Sequence, residues 1–149
     1  MRRHLEAALV ATLLSGTLAC ATAYQAKSGT GGYSETWLSD SVVRVSFQGN
    51  GFTQSDRADQ LLLRRCAEIT LERGRRFFAI SDQGGNYGTD PLLPHGNATG
   101  SATIRLLESA GEVASAADAL LVVEQTNKTA GGVLSAEARA AIARIRAGD

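Results

Sequence analysis

Between residues 33 and 73 the chain changes hydrophobic period once, and that change limits what it can fold into. Val43, Val45 and Phe47 alternate with Arg44, Ser46 and Gln48, the period-2 pattern of a strand buried on one face. Just before it, Tyr33, Glu35 and Trp37 fall on one face and Ser34, Thr36 and Leu38 on the other. Ser39-Asp40-Ser41 supplies turn chemistry between the two runs. Tyr33–Gln48 therefore reads as a β-hairpin, ended by Gly49-Asn50-Gly51. Beyond it the period becomes helical. Ala58, Leu62, Cys66 and Ile69 step by four, four and three, with Leu63 and Ala67 widening the stripe. A hairpin with one apolar face, followed by a helix with one apolar stripe, finds its cover by packing the two together.

Thr53 or Ser55 is expected to cap this helix, with capping-box spacing from Thr53 to Asp56, and Gly74 to end it at C′. Arg57, Arg64, Arg65, Glu68 and Glu72 fall opposite the stripe and are expected on the solvent side, with Arg64–Glu68 and Glu68–Glu72 as i,i+4 neighbours. Cys66 is expected to face the core, and Leu61 to project toward the polar side as an exposed apolar residue.

Phe77–Ile80 reads as a short buried strand and Ser101–Leu107 as another. Between them Asp82–Gly100 holds both prolines and many Gly and Asn, the composition of a long exposed loop. ALLVVEQT could be a strand by composition, but Ser115-x-x-Asp118 is cap-like. Ala119, Val122/Val123, Thr126 and Ala130 also keep helical spacing, so this stretch is read as a helix ended by Gly131-Gly132. Ser135 then caps a last helix with Ala138, Ile142 and Ile145 inward. The expected fold is α+β: a small antiparallel or mixed sheet, a long helix across one face, and C-terminal helices, in a single domain over residues 33–149. A chain of 149 residues with formal net charge 0 and 44% hydrophobic content suits that reading. With no basic excess, nucleic acid is not an expected partner.

The N-terminus carries a different signal. Arg2 and Arg3 precede the apolar run Ala7–Leu14, broken only by Thr12, and small residues follow up to Cys20. That is the order of a secretory signal peptide, and the run is well short of the ~20 residues a spanning helix needs. Glu6 fits the alternative of an ordinary amphipathic first helix. Two ends to the signal are open. Thr17-Leu18-Ala19-Cys20 resembles the bacterial lipobox, in which cleavage precedes a Cys acylated on sulfur; Thr17 stands where Leu is usual. The rival is cleavage after Ala21-Thr22-Ala23, which would discard Cys20. The expected arrangement is a signal peptide over residues 1–19, a lipidated Cys20 with a flexible tether over residues 20–32, and then the domain. Loss of residues 1–19 leaves the remainder nearly neutral, and two or more acyl chains hold such a domain stably on a bilayer. Ala21, after Cys20, is not the Asp that keeps lipoproteins at the inner membrane of enteric bacteria, which leans toward the outer membrane.

GGYSET at residues 31–36, V-R-V-S-F-Q-G-N at 43–50, L-L-R-x-x-A-E-I-T-L-x-x-G at 62–74 and the F-x-I strand resemble a family of small lipoproteins of the proteobacterial cell envelope. The resemblance spans about Tyr24 to Ser81. It implies an exported, lipid-anchored domain and brings no known activity. The chain departs from the pattern at Thr17, at Cys66 where Ala is common, and at Arg75-Arg76 where an aromatic often follows the Gly.

Residues that could carry chemistry are scattered along the chain. His95 lies in a Pro/Gly loop and would need a Ser, Asp or Glu beside it to act. Cys66, on a buried stripe, reads as inert packing. Asp82, Asn86 and Asp90 lack the dense spacing of a calcium loop, and Gly84–Gly88 lacks the Lys of a phosphate loop. Asn97 and Asn127 begin N-x-[ST] sequons. The Tyr33, Glu35 and Trp37 face is the first place to look for binding. No cofactor or metal is expected. The expected function is a membrane-anchored envelope lipoprotein serving as a binding or structural module for an envelope protein or the cell wall. The alternative is an exported hydrolase or ligand-binding protein using residues 82–100 and His95.

Overall fold

The computed structural model describes residues 21–86, 98–130 and 133–148. Strands β1 (Gly32–Trp37) and β2 (Val42–Gln48) form the hairpin, and helix α1 (Ser55–Glu72) follows. Next come β3 (Phe77–Asn86), β4 (Thr99–Leu107), a 3₁₀ turn over Ala110–Glu112, a two-residue β5 (Ala117–Asp118), α2 (Ala119–Ala130) and α3 (Ala136–Ala147). The sheet order is β1-β2-β4-β3-β5, and every neighbouring pair is antiparallel. The fold is α+β, with the long helix on one face and the C-terminal helices beyond it.

Register explains which face α1 covers. Val43, Val45 and Phe47 lie opposite Ile104, Ala102 and Gly100 of β4, while Trp37, Glu35 and Tyr33 of β1 lie opposite the same three β2 residues. Val43, Val45, Phe47, Ala102 and Ile104 make one apolar cluster with Phe78 and the α1 residues Ala58, Leu62, Cys66 and Ile69, and Tyr33 and Trp37 pack against it. Each fully buried large side chain in it contributes about 1.5–3 kcal/mol. Gly100 lets the layers meet closely: a Cβ there would stand 3.1 Å from Leu62 Cδ2. The other face of the sheet is polar, with Ser34, Thr36, Arg44 and Arg105 exposed.

Four expectations change. The polar side of α1 is not solvated: Arg64, Arg65 and Glu68 are buried, and Leu61 is fully buried rather than exposed. The cause is a second layer, since α2 and α3 pack on α1 from the side away from the sheet. Neither Thr53 nor Ser55 caps α1. The cap residue is Gln54, which makes no side-chain cap bond, while the Thr53 hydroxyl accepts from the Thr22 amide at 2.9 Å and donates to Asn50 at 3.0 Å. The α2 cap is Asp118, bonded to the Leu120 amide at 2.9 Å, and not Ser115. β3 does not stop at Ile80. It passes a register shift at Ser81 and continues through Gly84-Gly85 to Asn86, paired to Ser101, Gly100 and Thr99, so residues 82–86 and 99–100, expected as loop, are strand.

The segment expected as a tether is also folded. Thr22 is buried, and its hydroxyl accepts from the Asn50 amide at 2.6 Å. Gln25 and Lys27 bond Tyr33 on the outer edge of β1, at 2.9 and 2.7 Å. Gly31 makes the turn into β1 at φ 101°, and a Cβ there would stand 2.4 Å from the Gln48 carbonyl oxygen. No L residue with a side chain fits that position without strain.

The C-terminal elements follow their sequence signals. Gly74, at φ +70°, follows α1, and the Gly74 and Arg75 amides reach back to Leu71 and Thr70 as in a Schellman ending. Ser135 caps α3 through the Ala138 amide at 3.1 Å, and Ala138 and Ile142 are buried.

A buried ion cluster and the candidate site

Charged side chains of β1 and α1 converge at the edge of the sheet. Arg65, one turn before Glu68 and two before Glu72, leaves α1 toward β1. Its guanidinium meets Glu35 at 2.6 Å, Glu68 at 3.0 Å and Glu72 at 3.1 Å. It also lies over the Tyr33 ring, 4.5 Å from the centroid. Two neighbouring cations repeat the arrangement: Arg64 over Tyr24 at 5.0 Å and Arg73 over Trp37 at 3.9 Å. Arg64 also donates to Asn127 of α2 at 2.8 Å.

Glu68 is the centre of the cluster, with its side chain only 2% exposed. One oxygen accepts from Arg65 and from the Tyr24 hydroxyl; the other accepts from the Ser135 amide at 3.0 Å. Ser135 in turn donates its hydroxyl to Glu72 at 2.7 Å. One carboxylate thus fastens the N-terminal segment, α1 and the link into α3. Charge-assisted bonds of this kind are short and about twice as strong as neutral ones.

The titration behaviour agrees. Burial, then the charge of Glu68 and the bond to it, push the Tyr24 hydroxyl well above its ordinary range, so it remains a donor. Burial raises Tyr33 as well. For Arg65 burial works against the charge, but hydrogen bonding to Glu72 and the charges of Glu35 and Glu72 outweigh it, and the guanidinium is held more firmly protonated than usual.

Tyr33, Glu35 and Trp37 do share one face, as the alternation predicts, and what they meet there is Arg65 and Arg73 of the same chain. Sequence reasoning missed Arg64, Arg65 and Glu68 as partners of that face. The sequence carries no local signal for this pairing, since Glu35 and Arg65 lie 30 residues apart.

The other sought chemistry is dispersed. Burial pushes the Cys66 thiol up to about 12, so it stays protonated at neutral pH. Cys66 lines a hollow of about 240 Å³ with Asp59, Leu62, Ile80, Gln83 and Ala102. A second, of about 270 Å³, lies between α2 and α3. Both fall below the roughly 300–1,000 Å³ usual for ligand sites. Asp82 is in β3, 4.0 Å from Arg44. No group of three or more metal-ligating side chains occurs among the described residues, and no described helix is long and apolar enough to cross a membrane. Cys20, Asp90, His95 and Asn97 lie outside the described residues.

The fold and cluster define an α+β domain in which Arg65 is bonded to Glu35, Glu68 and Glu72. No match was found among known protein families, curated proteins or solved structures.

Proposed function

We propose that this chain is exported and held on a membrane, the outer membrane on its periplasmic side, by acyl chains on Cys20. Its domain acts there as a non-enzymatic binding or structural module of the cell envelope. The observation that carries the reading is the position of Thr22. Of the two cleavage sites open in the sequence, the one after Ala23 would remove a residue that is 2% exposed and bonded to Thr53 and Asn50. Cleavage before Cys20 keeps the whole folded segment. The module reading is supported by the bonding of Glu35, Glu68 and Glu72 to Arg65, which gives these groups a role in cohesion.

The test is intact-mass analysis of the mature protein extracted from membranes. An acylated chain beginning at Cys20 is expected, and Cys20→Ser should abolish the membrane-bound pool. A mature chain beginning at Tyr24 would refute the anchor.

A further inference from the structure

We infer that the anchored domain does not hang from its lipid but lies docked on the bilayer by one end of its sheet, with Phe52 entering the lipid surface. This rests on acylation of Cys20 as proposed above. Gly32, Gln48, Thr99 and Asn86 lie side by side at that end, each opposite the next in register. The N-terminal segment is fixed at the same end. The Thr22 amide bonds Thr53, its hydroxyl accepts from the Asn50 amide, and Gly31 lies against the Gln48 carbonyl. Two residues of chain span at most about 7 Å. The acyl-bearing residue therefore stands within about that reach of Thr22, and the bilayer with it. A dozen free residues would let the domain drift; two do not.

Among the described residues, the surface at this end suits lipid. The link Gly49–Ser55 has no charged residue, and at its middle the Phe52 side chain stands 57% exposed. Residues 84–86 and 98–101, from β3 and β4, are uncharged as well. The first described charges are Lys27 in the N-terminal segment and Asp56, Arg57 and Asp59 in α1. The far end differs. Arg73, Arg75, Arg76, Glu108 and Asp118 gather there, with Arg75 paired to Glu108 and Arg76 to Asp118. A single exposed aromatic is ordinary on a protein surface. Beside a two-residue leash to an acyl anchor, it sits where amphipathic proteins place apolar side chains in the headgroup region.

The test compares the two ends in the full, lipid-anchored chain in proteoliposomes. Gln54→Cys and Leu38→Cys each take a fluorescent probe and leave Phe52 in place, since both positions are exposed and Cys66 is fully buried. Leu38, 60% exposed, follows the far end of β1, about 20 Å along the hairpin. The expected result is several-fold stronger quenching at position 54 than at 38 by a nitroxide-bearing lipid, and the reverse with aqueous iodide. Equal quenching at both positions, on protein whose mass shows the acyl chains, overturns docking and leaves the anchor standing. A mass without acyl chains overturns the anchor, and docking falls with it.

Discussion

On one side of α1, Ala58, Leu62, Cys66 and Ile69 sit in an apolar cluster with Val43, Val45, Phe47 and Ile104. On the other, Arg65 is surrounded by Glu35, Glu68 and Glu72, and Glu68 by Tyr24 and Ser135. Both sides are buried, yet they tolerate change differently. An apolar contact is non-directional, and a similar volume restores most of it. A buried carboxylate left without its cation or its donors keeps its full desolvation cost. The apolar side makes the helix and sheet one body. The charged side ties Tyr24, before β1, and Ser135, at the start of α3, to that body.

Breaking the charged side should do the most damage. Arg65→Ala leaves three acidic side chains without their shared cation and is expected to cost about 3–5 kcal/mol in chemical denaturation. On the apolar side, Leu62→Ala is expected to cost about 2–5 kcal/mol and Leu62→Met less than about 1.5; Arg65→Met should recover little of the loss in Arg65→Ala. Gly31→Ala, forced to φ 101° against the Gln48 carbonyl, should cost about 1–3 kcal/mol without touching either face. The pH dependence sharpens the contrast. The Cys66 thiol is raised from 9.0 to about 12 by burial, so below pH 9 it is protonated in both states and its burial is fully stabilising. Above pH 9 the unfolded thiol ionises first, and stability falls as pH rises toward 12. Cys66→Ala should make that alkaline decline shallower in urea titrations. The smallest effect belongs to the exposed Arg146–Glu124 pair, where Arg146→Ala should change stability by at most about 1 kcal/mol.

The same contrast explains what could be read from the sequence. The hairpin, α1 and the Ser135-capped α3 announce themselves because period and cap residues are local signals. The charged side of α1 does not: Arg64, Arg65 and Glu68 carry the pattern of a solvated face, and only the later arrival of α2 and α3 buries them. The Gly-rich run before β1 resembles a tether for a similar reason. Gly31 and Gly32 are there for positive φ and close backbone approach, at 101° and 128°, which composition does not distinguish from looseness. Gly84-Gly85 reads as loop until β4 is seen beside it. Tyr33, Glu35 and Trp37 were legible as one face, but the cations that fill it come from a helix about 30 residues away in the sequence.

Whether residues 21–31 belong to the folded body can be measured directly. A Cys20→Ser chain beginning at residue 20 is compared in urea with one beginning at Gln25, which lacks Thr22 and Tyr24. Loss of the half-buried Tyr24 ring and of one donor to Glu68 should lower stability by roughly 2–4 kcal/mol. Equal midpoints and slopes would mean that the segment is only a leash, and would remove the physical ground for reading Cys20 as an anchor held close to the domain.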